Sequence, residues 1–433
     1  MKGEKGDFMG TKYTSRLQAE NRGEGFMGSG RAAVRLSIYW IAALSMILCM
    51  AMPAMAATIY VDTDASGAND GSNWANAYVD LQDGLANAQN GDEIWVAEGT
   101  YKPTNTYDRN ASFELIEGVA IYGGFEGTET NRGDRNWESH PTILSGNIGI
   151  LDDEIDDNCY HVVYFDEEDD SATLDGFIIK EGSATGPTEE DAMGGGMLNY
   201  YSYPILKNIA FSENSAALAG GGMANYGSSP ELTNVTFSGN SAYSGGGVAN
   251  AQSNPTLTNV TFSGNSAYSG GGMYNGGSNP ILNNIKFSKN VAFVGGGMAN
   301  YGSSPELTNA AFSGNFAYED DGGGMFNVTS SPVLTNVTFS GNSTESDGGG
   351  MFNVESSPVL TNVTFSGNFA DRYCGGIYNE ANSNPTLTNC ILWGNTDDYA
   401  DHEIINESSE PYISYSIVKG SSAPSAWDRI GNN

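Results

Sequence analysis

The sequence predicts an all-β fold, a parallel β-helix with three short strands in each coil of about 25 residues. Two strings that recur in phase carry this prediction. GGGM or a close variant occurs eight times between residues 194 and 377, and FSGN or a variant follows it in every copy. The repeat is rich in Gly, Thr, Asn and β-branched residues, which favour strands and turns over helices. Successive copies are therefore expected to stack as coils about 4.8 Å apart.

One copy, residues 220–240, illustrates the expected coil. Met223 lies in its first strand, Leu232 in the second and Phe237 in the third, each with its side chain directed inward. Asn234 breaks the alternation between the second and third strands, so we expect it at a corner. The glycines allow the tight turn at the remaining corner.

Three positions of the repeat carry Asn in all eight copies. The first set is Asn199, Asn225, Asn250, Asn275, Asn300, Asn327, Asn353 and Asn379. The second set is Asn208, Asn234, Asn259, Asn284, Asn309, Asn336, Asn362 and Asn389. The third set is Asn214, Asn240, Asn265, Asn290, Asn315, Asn342, Asn368 and Asn395. Stacked amides can hydrogen-bond along the axis of the coils, so these residues are interpreted as structural ladders rather than ligand contacts.

An export signal is predicted at the N-terminus. Arg31 and Arg35 precede an apolar run over residues 36–52, and Ala54-Met55-Ala56 forms an A-x-A cleavage site. We expect cleavage after Ala56; an uncleaved signal anchor is the alternative. The polar leader before the run is consistent with translation starting at Met27. No membrane span is expected after cleavage.

The rest of the chain divides into three segments. Residues 57–193 are expected to hold an N-terminal cap and degenerate coils, residues 194–395 the eight repeats, and residues 396–433 a final strand and a tail. An amphipathic helix, capped by Ser72 or Asn73 and ended by Gly91, is predicted to cover the first coil. Its apolar face is formed by Trp74, Ala77, Tyr78, Leu81, Leu85 and Ala88.

Charge excludes several classes of partner. The 433 residues include 18 Lys and Arg against 52 Asp and Glu, a net charge of −34, which excludes a nucleic-acid partner. Three His and four Cys leave little for a zinc or His-based catalytic centre. Signal cleavage leaves Cys159, Cys374 and Cys390, so at least one thiol is expected to be unpaired within the chain; whether Cys374 and Cys390 pair is open.

The alternation of GGGM or GGGV with FSGN over residues 194–395 resembles the GGA[ILV]/FxxN repeats of chlamydial polymorphic outer-membrane proteins. It is also similar to a wider set of bacterial right-handed parallel β-helix surface proteins, and residues 58–193 resemble their leading part. The resemblance implies a right-handed coil, secretion, exposure at the bacterial cell surface and adhesion. One departure is that the third motif residue is Gly rather than Ala.

An adhesive or structural binding module without enzymatic activity is therefore the predicted function, with a glycan or a cell-surface molecule as partner. An outward strip on the first strand is the expected contact surface. Its members are Leu198, Tyr274, Phe326, Phe352 and Tyr378. The alternative interpretation is that these side chains are ordinary sheet-face residues or are covered by a loop.

A calcium site and a lyase activity form the alternative function. Acidic residues in the turns before the GGG strands should stack along one edge, and oxygen-rich acidic sites suit Ca²⁺. These residues are Asp320, Asp321, Glu345, Asp347 and Asp371. Many right-handed β-helices cleave acidic polysaccharides with bound Ca²⁺ and a basic residue, a role that Arg372 would take here. The competing interpretation is a solvated acidic edge.

Overall fold

A computed structural model describes residues 56–149, 157–166 and 172–419. The backbone winds into a right-handed parallel β-helix of about 12 turns, as the repeats predict. Equivalent residues of successive turns pair in register, for example Met197 with Met223 and Asn199 with Asn225. The strands form three sheets, of which the second extends from the first described strand to the last, whereas the first begins at residue 113 and the third at residue 183.

The first sheet includes the eight strands that follow the glycine motif. Its eleven strands are Phe113–Glu114, Val163–Asp166, Met197–Tyr200, Met223–Tyr226, Val248–Ala251, Met273–Gly276, Met298–Tyr301, Met325–Val328, Met351–Val354, Ile377–Glu380 and Ile404–Asn406.

The second sheet contributes two strands, or one long bent strand, to most turns. Its 22 strands are Thr58–Val61, Glu93–Ala97, Gly99–Tyr101, Ala120–Phe125, Thr142–Ser145, Thr173–Asp175, Phe177–Lys180, Ile205–Lys207, Ala210–Ser212, Glu231–Thr233, Thr236–Ser238, Thr256–Ser263, Ile281–Ser288, Glu306–Ser313, Val333–Thr335, Thr338–Ser340, Val359–Thr361, Thr364–Ser366, Thr386–Thr388, Ile391–Trp393, Tyr412–Ser414 and Ile417–Val418.

The third sheet is made of short strands, eight of which follow the FSGN motif or a variant of it. Its nine strands are Ser183–Ala184, Ser215–Ala219, Ser241–Ser244, Ser266–Ser269, Val291–Val294, Phe316–Ala317, Ser343–Thr344, Phe369–Ala370 and Thr396–Asp397.

The predicted N-terminal helix is shorter than expected. A 3-10 helix at Trp74–Asn76 is capped by the Asn73 side chain, and a separate α-helix, Leu81–Asn87, is capped by Asp80. Between them the Tyr78 N–H donates to the Tyr60 carbonyl, and the Tyr78 carbonyl accepts from the Asp62 N–H. This pairing with the first strand interrupts the helix. Two further 3-10 helices lie at Arg132–Asp134 and Glu190–Ala192.

Aromatic and aliphatic columns fill the interior of the coil. Seven Phe side chains at the FSGN position stack along the axis, with centroid separations between 4.5 and 5.1 Å. They are Phe211, Phe237, Phe262, Phe287, Phe312, Phe339 and Phe365. Buried Met and Leu columns from the first and second sheets complete the same core. The inward positions predicted from the repeat are confirmed.

The Asn ladders are confirmed as well. In the third set each side-chain N–H₂ donates to the amide oxygen of the next coil, for example from Asn240 to Asn265 at 3.0 Å, and the first set does the same. Both sets are buried along the eight repeats, whereas the second set lies at the exposed corner. Asn234 has a φ of +58° there, the left-handed conformation that Asn tolerates.

Carboxylates terminate two of the ladders. The third set ends where the Asn395 amide donates to the Glu403 carboxylate, which is 2% exposed and also accepts the Gly394 N–H. In the second set each amide donates to the preceding coil instead of the next one, as Asn234 does to Asn208. The Asn208 amide, the last donor of this set, donates to Asp175 Oδ1 at 2.8 Å. A charged acceptor thus receives the last donor of each of these two ladders.

The chain beyond the eighth repeat adds more than the single strand predicted there. Ile404–Asn406 extends the first sheet, and Tyr412–Ser414 and Ile417–Val418 extend the second. The predicted export signal lies outside the described residues. Within those residues, no helix has both the length and the apolar character needed to cross a bilayer.

Candidate functional site

The strip predicted on the outer face of the first sheet is covered. Phe326, Phe352 and Tyr378 are at most 8% exposed, Leu198 is fully buried and Tyr274 is half-buried. A second apolar cluster forms when the segments that lead into the first sheet, with Val294 and Cys374, pack over the three aromatic rings. The expectation of an exposed strip is therefore wrong, and the alternative of a covering segment is correct.

A different aromatic row is exposed on the third sheet. We call it the aromatic ladder and define it as Tyr243, Tyr268, Phe293 and Tyr318. Tyr243, Tyr268 and Phe293 each follow an Ala in their strands and lie on the opposite face from it, as strand alternation requires, and Tyr318 directly follows the strand Phe316–Ala317. Phe293 is half-buried and also packs against the second apolar cluster. The three Tyr side chains are 55%, 41% and 36% exposed, in chain order.

The rings of the ladder stack along the axis of the helix. The centroids of Tyr243 and Tyr268 lie 4.8 Å apart with an angle of 4° between the planes, and those of Tyr268 and Phe293 lie 4.6 Å apart at 11°. Tyr318 closes the row edge-on, 5.8 Å from Phe293. Because inner ring faces contact neighbouring rings, the ladder presents ring edges and phenol hydroxyls to solvent.

The SAYS string that precedes GGG in two coils was the available signal for this ladder. It places Tyr243 and Tyr268 25 residues apart, each two residues after a Ser and one after an Ala. In later coils the corresponding positions are acidic, at Glu345, Asp371 and Asp398. The aromatic ladder therefore runs directly into an acidic row.

Three of the five acidic residues proposed for calcium accept hydrogen bonds from backbone N–H groups. Asp321 Oδ1 accepts the Asp347 N–H at 2.9 Å, and Asp347 Oδ1 accepts the Tyr373 N–H at 3.0 Å. Asp320 Oδ1 accepts the Asp321 N–H. These carboxylates thus hold the backbone of the corner from one coil to the next.

The five residues do not converge on one point. Glu345 and Asp371 are exposed, whereas Asp347 is buried. Across residues 56–149, 157–166 and 172–419, no three acidic, His or Cys side chains lie close enough together to hold a metal ion. Arg372 is 60% exposed at its side chain, with its guanidinium 3.9 Å from the Asp347 carboxylate. Calcium binding and a catalytic Arg372 stay predictions.

Burial raises the pKa of the Asp321 carboxyl to about 7, and the neighbouring Asp320 and Asp347 charges act in the same direction. Burial also raises the pKa of Asp347, although the Arg372 guanidinium opposes this shift. The corner of the sixth and seventh repeats therefore contains a carboxyl that gains or loses its proton close to neutral pH.

We expect Asp321→Asn to raise the melting temperature at pH 8 and to have a smaller effect at pH 5. The folded-state pKa lies above the unfolded value, so this group contributes stability that is fully present below about pH 4 and is lost as the pH rises through 7. Asn keeps the acceptor for the Asp347 N–H without the buried charge. Thermal unfolding should show a gain of about 2 kcal/mol at pH 8.

Glu306→Gln, at an exposed position on the second sheet, is the matched control for this change of charge. It should shift stability only slightly and by a similar amount at both pH values. A gain for Asp321→Asn that is as large at pH 5 as at pH 8 would contradict the buried-charge explanation.

Among the described residues, all the cysteines are free and buried: Cys159, Cys374 and Cys390. Burial raises the pKa of the Cys159 thiol to about 12 and raises those of the other two. Thiolate is scarce at such sites, so these residues are unreactive packing groups. Cys374 and Cys390 do not form a disulfide.

A family profile described as "Right handed beta helix region" matches residues 145–317 and, in an overlapping alignment, residues 223–370. Together the two alignments span more than half of the chain. No curated protein matches the chain.

Three solved structures illustrate the range of similar proteins. Pectate lyase Pel9A is 10% identical, with 75% of this chain and 77% of that chain covered and a TM-score of 0.42. A rhamnogalacturonan lyase is 11% identical, with coverages of 82% and 87% and a TM-score of 0.33. PfbA, a surface adhesin of Streptococcus pneumoniae, is 12% identical, with coverages of 84% and 96% and a TM-score of 0.33. The similar structures include both lyases and an adhesin, so the comparison favours neither an enzymatic nor an adhesive function.

Proposed function

Since this chain belongs to the right-handed β-helix family, we propose that it is a secreted or cell-surface repeat protein that acts as a non-enzymatic adhesive or structural binding module. The single observation that carries this proposal is the exposed aromatic ladder of the third sheet. Contiguous exposed apolar surface is uncommon on monomeric soluble proteins and marks interaction sites.

The form of the ladder favours a protein partner on a cell or matrix surface. Tyr243, Tyr268 and Phe293 present ring edges in a straight row, because their inner faces are occupied by one another, and the two Tyr residues add hydroxyls. A sugar stacks best on an open ring face, whereas a flat row of edges suits the apolar side chains of another protein. Tyr is also among the residues that dominate binding energy at protein interfaces.

Other features of the sequence support an extracellular location. The segment 1–56 has the organisation of an export signal, and the repeats resemble those of chlamydial polymorphic outer-membrane proteins. A net charge of −34 keeps such a chain soluble and away from anionic lipid surfaces. We therefore place the protein outside the cell or at the bacterial cell surface.

A triple substitution of the ladder tests the proposal. We expect Tyr243→Ser, Tyr268→Ser and Tyr318→Ser together to reduce binding to cells and to arrays of surface and matrix proteins at least tenfold. Each Tyr is exposed, so loss of its ring removes contact area with the partner and little from the core. Purified wild type and variant are compared on the same arrays after circular dichroism has shown equal folding.

The control carries Tyr107→Ser, Tyr203→Ser and Tyr412→Ser, which are comparably exposed residues outside the ladder. It should bind like the wild type. Equal loss in both triple variants, or full binding by the ladder variant, would count against the ladder as the contact surface.

A further inference from the structure

The aromatic ladder continues along the third sheet as a row of carboxylates. In the three coils after Tyr318 the equivalent position is acidic, and we call this set the acidic row. Its members are Glu345, Asp371 and Asp398. The strand Phe316–Ala317 pairs residue for residue with Ser343–Thr344, so Glu345 lies one coil beyond Tyr318, and the same register continues through the next two coils.

The ladder and the acidic row form one surface with two halves. They occupy equivalent positions in seven successive coils, from Tyr243 to Asp398. A coil spacing of about 4.8 Å gives this surface a length of about 29 Å. All three acidic residues are exposed. A molecule that lies along the surface therefore meets aromatic ring edges in one half and carboxylates in the other.

The charges of the acidic row are not compensated within the described part of the chain. There, none of the three side chains takes part in a hydrogen bond or an ion pair. Partial desolvation raises the pKa of the Asp371 carboxyl, and the Asp398 and Glu345 charges raise it further. Like charges therefore face one another along the row, and a cationic partner would relieve their repulsion.

Arg372 does not supply this compensation, although it follows Asp371 in the chain. Its guanidinium lies 3.9 Å from the Asp347 carboxylate and donates to the Ser346 hydroxyl at 3.3 Å. Both contacts are with the corner of the preceding coil. The acidic row is thus left for a cation from outside the protein.

The carboxylates are spread along the axis rather than gathered around one point. Among the described residues, no three acidic, His or Cys side chains lie close enough together to hold a metal ion. Several cationic side chains in a line match this arrangement better than one metal ion does. Lys and Arg of another protein supply such a line.

A second copy of this chain lacks the complementary face. The sequence has 18 Lys and Arg against 52 Asp and Glu. Two copies with their ladders side by side in the same direction would bring their acidic rows together, which costs repulsion energy. In the opposite direction each acidic row would extend past the contact without a cationic partner. Charge complementarity therefore favours a basic protein as the occupant.

From these observations we infer that the ladder and the acidic row together bind an extended basic segment of a partner protein. Alternate apolar side chains of the segment contact the aromatic rings, and the alternate Lys or Arg side chains that follow them contact the carboxylates. A strand directs every second side chain to one face, so about nine residues cover the surface. The inference rests on the proposed function, because it names the chemistry of the partner for the same surface.

Isothermal titration with two synthetic peptides tests the inference. The basic peptide has blocked ends and about nine residues, in which three alternate Leu are followed by two alternate Lys, with Thr between them. The acidic peptide has Glu in place of Lys. We expect the wild type to bind the basic peptide, less tightly as salt is added, and to bind the acidic peptide at least about tenfold more weakly.

The acidic-row variant carries Glu345→Lys, Asp371→Lys and Asp398→Lys. Its affinity for the basic peptide should be at least about tenfold lower than that of the wild type, because each carboxylate is replaced by a like charge. The triple variant of the ladder should also lose affinity, since it lacks the apolar half of the surface.

The matched control carries Glu114→Lys, Glu231→Lys and Glu306→Lys, which are exposed acidic residues of the first and second sheets. It changes the net charge equally and should bind the basic peptide nearly like the wild type. Absence of saturable binding at millimolar peptide, equal affinity for the two peptides, or an equal loss in the acidic-row variant and this control would overturn the inference. A wild type that light scattering shows to be dimeric, and that becomes monomeric in the triple variant of the ladder, would overturn it by assigning the surface to self-association.

The cell and protein arrays separate this inference from the proposed function. Array binding that is lost in the triple variant of the ladder but unchanged in the acidic-row variant would support the proposed function and overturn the basic partner. Loss in both variants would support both. Circular dichroism of each variant confirms that the fold is intact.

Discussion

Asn265→Leu is expected to lower the free energy of unfolding by about 3–5 kcal/mol. The Asn265 side chain donates to the Phe237 carbonyl and to the Asn290 amide oxygen, and its own oxygen accepts both the backbone and the side-chain N–H of Asn240. Leu fills a similar volume but makes none of these bonds. The Phe237 carbonyl and the Asn240 backbone N–H are then left without these partners in a dry interior, at about 1–3 kcal/mol each.

Urea unfolding followed by circular dichroism measures this loss, and Asn283→Leu is its control. Asn283 is an exposed residue of the second sheet, so the same change of side chain should alter stability by only about 0.5 kcal/mol. Equal midpoints for Asn265→Leu and the wild type would show that the ladder contributes nothing to stability.

The second large effect is expected for Gly271→Ala, which should cost about 3 kcal/mol or more. A Cβ at this position would lie 2.5 Å from the Val291 carbonyl oxygen and 2.6 Å from that of Gly296. Both atoms belong to the backbone of the next coil. That coil cannot retreat without stretching the ladder bonds that hold the two together, so the clash has no inexpensive relief.

Gly264→Ala separates this contact from the general cost of replacing a glycine. Gly264 has a φ of +65°, but a Cβ there would meet nothing within 4 Å. Its substitution should cost only about 1–2 kcal/mol of backbone strain. A thermal unfolding series that ranks Gly264→Ala as the more damaging of the two would refute the importance of close coil packing.

The coil itself was predictable because stacking turns residues about 25 positions apart into neighbours. Met223 in the interior, Asn234 at the corner and the three Asn ladders all followed from comparing copies of the repeat. Each copy supplies an independent instance of the same environment, so a single misleading residue does not change the result. Where the repeat is absent, as at Tyr78, local helical spacing was overridden by pairing with the strand Thr58–Val61.

The exposed surfaces were harder to predict because they depend on the connecting segments. Phe352 occupies an outward position of its strand, yet it is 3% exposed since the corner segment folds over it. Tyr243 also occupies an outward position of its strand, but it is 55% exposed. The path of the segment between Phe125 and Thr142 over the second sheet is likewise set by long-range contacts, such as Arg135 with Asp175.

The most direct test of a non-enzymatic binding role combines two assays on one preparation of the full chain. Polyuronates are followed for the absorbance of unsaturated lyase products with and without Ca²⁺, while the same protein is applied to the cell and surface-protein arrays. We expect binding that depends on the aromatic ladder and no rise in absorbance in either condition. A Ca²⁺-dependent rise in absorbance that disappears in Arg372→Ala would contradict this role and establish a polysaccharide lyase instead.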